Sequence, residues 1–262
     1  MSIFHAIIMG VVQGLCEFLP VSSSGHLVLA QNLLGAPEAG LLFDTFLHLG
    51  TLAAVFAVYY KDIWAMLKKP FSKPVGCLVI ATIPTVIAAL LLGDFFDEIF
   101  AGRFLGVSFM ITSAILFLSA RFRGKRREVT YRNAAMMGLW QGVAILPGIS
   151  RSGSTISGGL IQGLDREAAA KFSFLMSIPA ILGSVVYQAK DIMTGSELGA
   201  IGMLPMIIGV FAAAISGYAA IRFMLKVLQR ASLKSFAWYT LILGALVLCD
   251  QLFTNVFFMP MF

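Results

Sequence analysis

Long apolar runs alternate with short charged segments along this chain, and the run lengths set its class. Six runs, at about 43–60, 75–93, 103–121, 171–189, 201–223 and 236–257, reach the roughly 17–25 residues a helix needs to cross a bilayer. Lys61, Lys68, Lys69 and Lys73 follow the first run. Arg121, Arg123, Lys125, Arg126, Arg127 and Arg132 follow the third, and Arg222, Lys226, Arg230 and Lys234 the fifth. Asp94, Asp97 and Glu98 follow the second, and Asp191 and Glu197 the fourth. Because basic residues stay on the cytoplasmic side, the loops 61–74, 121–132 and 224–235 are expected inside. The loops 94–102 and 190–200, and both termini, are expected outside. The opening MSIFHAIIMG has no basic segment and no small-residue cleavage pattern, so it does not read as a removable signal peptide.

Two regions, 1–34 and 133–163, each hold two shorter apolar stretches broken at Pro, Ser and Gly. The charge pattern requires each to return to the side it entered from. Both therefore read as re-entrant helical hairpins, the first entering from outside and the second from the cytoplasm. Irregular backbone at membrane depth is tolerated only where protein buries it or a wet cavity meets it. The hairpin turns are thus expected at a site.

The two halves also repeat. Gly10-Val11-Val12-Gln13-Gly14 matches Gly138-Leu139-Trp140-Gln141-Gly142, and Ser24-Gly25 matches Ser152-Gly153. Leu19-Pro20 matches Leu146-Pro147, and Phe46-Leu47 matches Phe174-Leu175. A near-constant spacing close to half the chain length indicates an internal repeat. Each half holds an odd number of crossings, so the second copy is inverted, an arrangement that gathers binding sites near the midplane. The expected fold is an all-α polytopic membrane protein with an inverted-topology repeat. It forms one membrane domain over 1–262, with repeats at about 1–125 and 130–262, each one re-entrant hairpin plus three transmembrane helices.

Composition agrees. Of 262 residues, 59% are hydrophobic and 12% charged, against about a quarter charged in soluble domains. The net charge of +6 is accounted for by the cytoplasmic loops, so no nucleic-acid partner is expected. Cys16, Cys77 and Cys249 are scattered among apolar residues without metal-like spacing and read as small hydrophobes.

The turns carry the candidate chemistry. The second reads PGISRSGSTISGG (147–159). A guanidinium at membrane depth costs several kcal/mol unless paired or wetted, and its planar fork suits phosphate or carboxylate. Arg151 with Ser150, Ser152, Ser154 and Thr155, glycines and a helix N-terminus reads as a cradle for an oxyanion. Simple pairing of Arg151 with Glu17 is the plainer alternative, but it needs no neighbouring hydroxyls. In the first turn, GLCEFLPVSSSGHL (14–27), Glu17 and His26 flank Ser22, Ser23 and Ser24. Glu17 can hold a divalent cation or act as general acid or base, and His26 can exchange a proton near neutral pH. Ser23 can be a nucleophile if His26 activates it as its proton partner. At least one of the three serines is expected to cap a helix instead. Asp44 and His48 share a helix face at i, i+4, where a metal or phosphate role and a wetted helix end are both open.

Together GLCEFLPVSSSGHL and PGISRSGSTI make the chain resemble the membrane-embedded undecaprenyl-diphosphate phosphatases of bacteria, the bacitracin-resistance type, over essentially its whole length. The resemblance implies removal of the terminal phosphate of undecaprenyl diphosphate in the bacterial cytoplasmic membrane. It further implies recycling of the lipid carrier for cell-wall synthesis, bacitracin resistance, an outward-facing site and dependence on a divalent metal, Mg or Ca. Glu17, Ser23, His26 and Arg151 carry over as catalytic positions, with Ser22, Ser24, Ser150, Arg151, Ser152 and Thr155 around the diphosphate. Many members have a second acid where this chain has Gln13. The expected metal site is therefore Glu17, helped by Gln13, Asp44 or His48.

The acid-phosphatase type of lipid phosphatase needs a further histidine six residues after its Ser-Arg, where this chain has Ser157. The rival from another class is a carrier that flips undecaprenyl phosphate through the same pocket, with or without hydrolysis. Whether Ser23 or water attacks, and whether the protein is a homodimer, stay open at the level of sequence.

Overall fold

A computed structural model describes residues 1–35, 40–99, 103–187, 202–230, 232–258 and 260. Among them the chain is helical, apart from one isolated bridge between Arg126 and Leu164. The first hairpin is α1 (Ile3–Phe18) and α2 (Ser23–Leu34), followed by α3 (Gly40–Lys68), α4 (Lys73–Ile99) and α5 (Leu105–Ser119). The second is α6 (Tyr131–Val143) and α7 (Arg151–Ile161), followed by α8 (Arg166–Tyr187), α9 (Met203–Arg230) and α10 (Lys234–Cys249). Both expected hairpins are thus helix–turn–helix units with the turns where Pro, Ser and Gly interrupt the apolar pattern. Side-chain oxygens start the outer arms. Ser2 accepts from the His5 amide, and Thr130 and Asn133 form a reciprocal capping box.

Among the described residues five helices, within α3, α4, α8, α9 and α10, are long and apolar enough to cross a membrane. The sixth expected span, 103–121, is shorter than expected. Its helix α5 has 15 residues, about 22 Å at 1.5 Å per residue. Phe104, at φ −106° and ψ 19°, starts it late, and it stops before the basic segment that begins at Arg121. The loops 61–74 and 224–235 also need correction. α3 runs on to Lys68 and α4 starts at Lys73, while α9 runs to Arg230 and α10 starts at Lys234. The basic residues ride on helix ends because long cationic side chains keep their heads in water from a terminal turn. Similarly α4 is helical to Ile99, within the expected 94–102 loop. The 190–200 segment, with Asp191 and Glu197, lies outside the described residues.

The distribution of burial is that of a protein solvated by lipid. Ser108, Thr112, Ser113, Ser154, Ser157, Ser173 and Ser177 are buried inside. Leu90, Leu91, Phe211, Ile215 and Leu246 are exposed outside. α1 packs along α9 and α6 along α4, in both cases through glycine. A Cβ at Gly10 would strike the Gly209 carbonyl, and one at Gly138 the Ala81 carbonyl. Close backbone approach through small residues is how membrane helices gain contact without a hydrophobic drive between them. Gly138→Val is therefore expected to cost at least about 1–3 kcal/mol. The check is a lowered midpoint of thermal unfolding in detergent.

Candidate active site

Glu17 lies in the last turn of α1 and is almost fully buried. Its carboxylate is the hub of the site. Arg151, the first residue of α7, donates from Nη2 to Glu17 Oε1 at 2.5 Å and from Nη1 to the Ser173 carbonyl at 3.3 Å. Glu17 Oε2 accepts from Ser23 Oγ at 2.6 Å and from Gln13 Nε2 at 3.1 Å. His48 Nε2 stands 3.6 Å from the same oxygen. Beside this hub is a cavity of about 190 Å³ into which Glu17, Ser23, Ser24, His48, Arg151 and Ser184 face. Ala144, Ile149, Ala180 and Ile181 form the apolar part of its wall.

The two turns that frame the hub are built alike. Ser22 caps α2 by accepting from the Gly25 amide, and Ser150 caps α7 by accepting from the Gly153 amide. Ser23 and Arg151 are therefore the first residues of their helices, 128 positions apart. The hairpins are stitched together at these turns. The Gly148 amide donates to Ser24 Oγ at 3.3 Å, and Ser152 Oγ donates to the Leu19 carbonyl at 2.9 Å. Gly148 has φ +84°, and a Cβ there would meet Ser108 Cβ at 2.6 Å, so only glycine fits. Ser22 has φ +73° without being glycine, a conformation that costs about 1–3 kcal/mol and survives only where the surroundings hold it. Its own cap and a hydrogen bond to its carbonyl from His26 Nδ1, at 2.7 Å, hold it.

That bond corrects the expected pairing of His26 with Ser23. A carbonyl only accepts, so Nδ1 carries the proton and the neutral ring's Nε2 accepts from Tyr239 Oη at 2.8 Å. The His26 and Tyr239 rings also stack, centroids 5.7 Å apart at 17°, and Phe109 meets His26 edge-on. Both nitrogens are committed, and the residue on Ser23 is Glu17. Tyr239→Phe is expected to lower turnover by about three- to tenfold, the loss of one hydrogen bond, with little change in KM.

The remaining hydroxyls divide. Ser24 faces the cavity, but Ser22, Ser150, Ser152 and Thr155 are buried. Ser22 and Ser150 cap helices, and Ser152 joins the hairpins. Thr155 donates to the Arg151 carbonyl at 2.8 Å and meets Ser173 Oγ at 2.6 Å, bracing the arginine. Ser173 and Thr112 had no distinguishing signal in the sequence. Thr112 Oγ1 accepts from the Ser150 amide at 3.1 Å. Tyr239 is one more aromatic in an apolar run, and Ser184 one more small residue.

Among the described residues no three His, Cys, Asp or Glu side chains converge into a ready metal cage. Two buried oxygens near the hub nevertheless lack any partner, Gln13 Oε1 and Asp44 Oδ1. His48 Nδ1 donates to the Asp44 carbonyl at 2.7 Å, which leaves its Nε2 facing Glu17. Hard divalent cations take oxygen ligands of this kind, so the donor set fits one.

Fold and site define the class: a polytopic helical membrane protein with an arginine–carboxylate–serine cluster where two short hairpins meet. The profile of the bacitracin resistance protein BacA family matches residues 6–246, and the chain belongs to that family. It is 47% identical over 256 residues to an undecaprenyl-diphosphatase of Carboxydothermus hydrogenoformans, covering 96% of this chain and 98% of that protein. It is 44% identical to undecaprenyl-diphosphatase 4 of Bacillus cereus, covering 98% of this chain and 100% of the relative. It is 43% identical to an undecaprenyl-diphosphatase of Methanobrevibacter smithii, again covering 98% and 100%.

Proposed function

We propose that the chain hydrolyses undecaprenyl diphosphate to undecaprenyl phosphate and inorganic phosphate, returning the lipid carrier to cell-wall synthesis. The observation that carries this reading is the Arg151–Glu17–Ser23 chain of hydrogen bonds beside one cavity. An anion entering there competes with Glu17 for the guanidinium fork, and Arg151 then neutralises charge on the phosphoryl oxygens. Glu17, released from Arg151, is the base within reach of Ser23. Ser23 Oγ attacks the terminal phosphorus while its proton passes to Glu17. The bond from that phosphorus to the bridging oxygen breaks, the proton passes from Glu17 to the departing undecaprenyl phosphate, and Glu17 is again a carboxylate. Water, deprotonated by Glu17, then splits the phosphoserine and releases phosphate. Direct attack by water uses the same groups without the intermediate. His26 and Tyr239 keep the Ser22 turn, and hence Ser23, in register. Glu17, Asp44 and His48, with the Gln13 carbonyl, would hold a divalent cation, Mg or Ca, which supplies charge neutralisation at the phosphates when bound. No step needs a homodimer.

The halves of this reading form an inverted repeat, supported by the like-built caps at Ser22 and Ser150 and by the parallel glycine contacts of α1 and α6. The termini lie outside and the site opens outward. In support, His48 lies about 30 Å along α3 from its basic end at Lys68, and Ser184 about 20 Å along α8 from Lys171, at 1.5 Å per residue. The bilayer-embedded tail leaves sideways between helices. Bacitracin resistance is part of the same reading, supported by the description of the family the chain belongs to. The test is phosphate release by detergent-purified protein given undecaprenyl diphosphate with Mg or Ca. Release at enzymatic rates supports hydrolysis. None under any metal condition would overturn it in favour of a carrier for undecaprenyl phosphate.

A further inference from the structure

A second pocket, of about 520 Å³, opens at the basic end of α3, α4 and α8. It is separate from the hydrolytic site, being most of the length of α3 away from His48. Four basic side chains line it, Lys69, Lys73, Arg127 and Lys171, against two acidic ones, Asp62 and Glu128. Lys171 pairs with Asp62 at 2.6 Å and Lys73 with Glu128 at 2.5 Å. Arg127 holds Asp165 only through Nε at 3.4 Å and is 90% exposed, so its outer fork stays open. Three of the four basic groups thus face a carboxylate, so the excess is the Lys69 ammonium with the open fork of Arg127, and the floor beneath is apolar, with Met66, Phe172 and Leu175.

The pocket does not end at the floor. The next turns of the same two helices, α4 and α8, form an apolar groove of about 470 Å³. Val79, Ile83 and Ile87 line one wall, and Ile178 and Leu182 the other. Thr82, the groove's one hydroxyl, donates to the Leu78 carbonyl within its own helix and offers the groove no free polar group. Val79, Ile83 and Ile87 are each about half exposed, as lipid-facing residues are.

We propose that α3, α4 and α8 form a binding site for a lipid with a phosphate-monoester head. The head lies among Lys69, Lys73 and Arg127, and one chain lies in the α4–α8 groove. A basic excess above an apolar slot on the lipid-facing surface matches an anionic amphiphile. A zwitterionic lipid gains nothing from that excess, and a free anion gains nothing from the groove. Each basic residue near a membrane surface adds about fivefold to the retention of an anionic lipid.

The test is native mass spectrometry of the full chain in detergent, offered dioleoyl phosphatidic acid, dioleoyl phosphatidylcholine or sodium phosphate. The wild type is expected to retain phosphatidic acid several-fold over phosphatidylcholine. Lys69→Ala with Arg127→Ala should bring that preference down to near parity, while phosphate release from undecaprenyl diphosphate stays normal. Val79→Trp should weaken dioleoyl phosphatidic acid but not its dihexanoyl analogue. Equal retention of the two lipids by the wild type, an unchanged preference in the double variant, or sodium phosphate competing at the lipid's own concentration would each overturn the proposal. Because the readout is binding and no substituted residue touches the hydrolytic site, failure here leaves the hydrolase reading intact.

Discussion

Arg151→Ala is expected to lower phosphate release from undecaprenyl diphosphate by about a thousandfold. One preorganised donor to developing charge is typically worth a hundred- to a thousandfold, and an arginine on a transferring phosphoryl group more. This guanidinium has the further task of drawing the diphosphate into a cavity whose other ionised group is an anion. The substitution has a second consequence that must be separated from the first. It leaves Glu17 buried without its cation, and breaking a buried pair costs about 3–5 kcal/mol of stability. Two companions distinguish the effects. Arg151→Ala with Glu17→Gln removes the orphaned charge, so it should recover the unfolding midpoint and remain inactive. Arg151→Lys keeps the charge but loses the fork that spans Glu17 and the Ser173 carbonyl, so it should fold and turn over slowly. Turnover within threefold of wild type in Arg151→Ala would sink the anion-binding role.

Ser23→Ala is expected to cost on the order of a thousandfold or more, as removal of a nucleophile does. The short bond from Ser23 Oγ to Glu17 is the geometry of a hydroxyl about to lose its proton. The decisive measurement is an acid quench of wild-type enzyme with substrate labelled in the terminal phosphate. Label carried on Ser23 identifies the covalent route. Label found only in free phosphate, with a small loss in Ser23→Ala, assigns the attack to water and leaves Ser23 as a substrate contact. Ser24→Ala is the comparison, since Ser24 faces the same cavity without a bond to Glu17. It should lose far less.

Much of this arrangement is legible in the sequence because its causes are local. Pro20, Pro147 and the serine–glycine clusters interrupt apolar periodicity, and the interruptions are the hairpin turns. The ends of the spans are less legible. Lys68 and Lys73 look like loop residues, yet a flexible cationic side chain reaches water from a helical turn. Least legible are the hydroxyls. Ser22 and Ser23 are adjacent and chemically identical, but one caps α2 and the other meets Glu17. Where α2 begins decides which. Likewise the partner of His26 is Tyr239, 213 positions away, and nothing near either residue announces the pairing. Position along a helix predicts neighbours on that helix. It says little about which distant helix closes the ring.

The like-built caps at Ser22 and Ser150 have a consequence for the direction of the chemistry. The residue after one cap is a hydroxyl, Ser23, and the residue after the other is a cation, Arg151. Glu17 stands before the first turn, and Ile145 stands 128 positions later, before the second. The two serine caps are matched while the residues around them are not, which gives the cavity a fixed head and tail. The lipid diphosphate likewise has two unlike ends, one phosphate terminal and the other esterified to the lipid chain. Here it meets attack from one side and charge from the other, so only one of its phosphates is presented for removal. Two copies of either hairpin would lose that distinction: one pair would hold no cation, the other no hydroxyl beside a base.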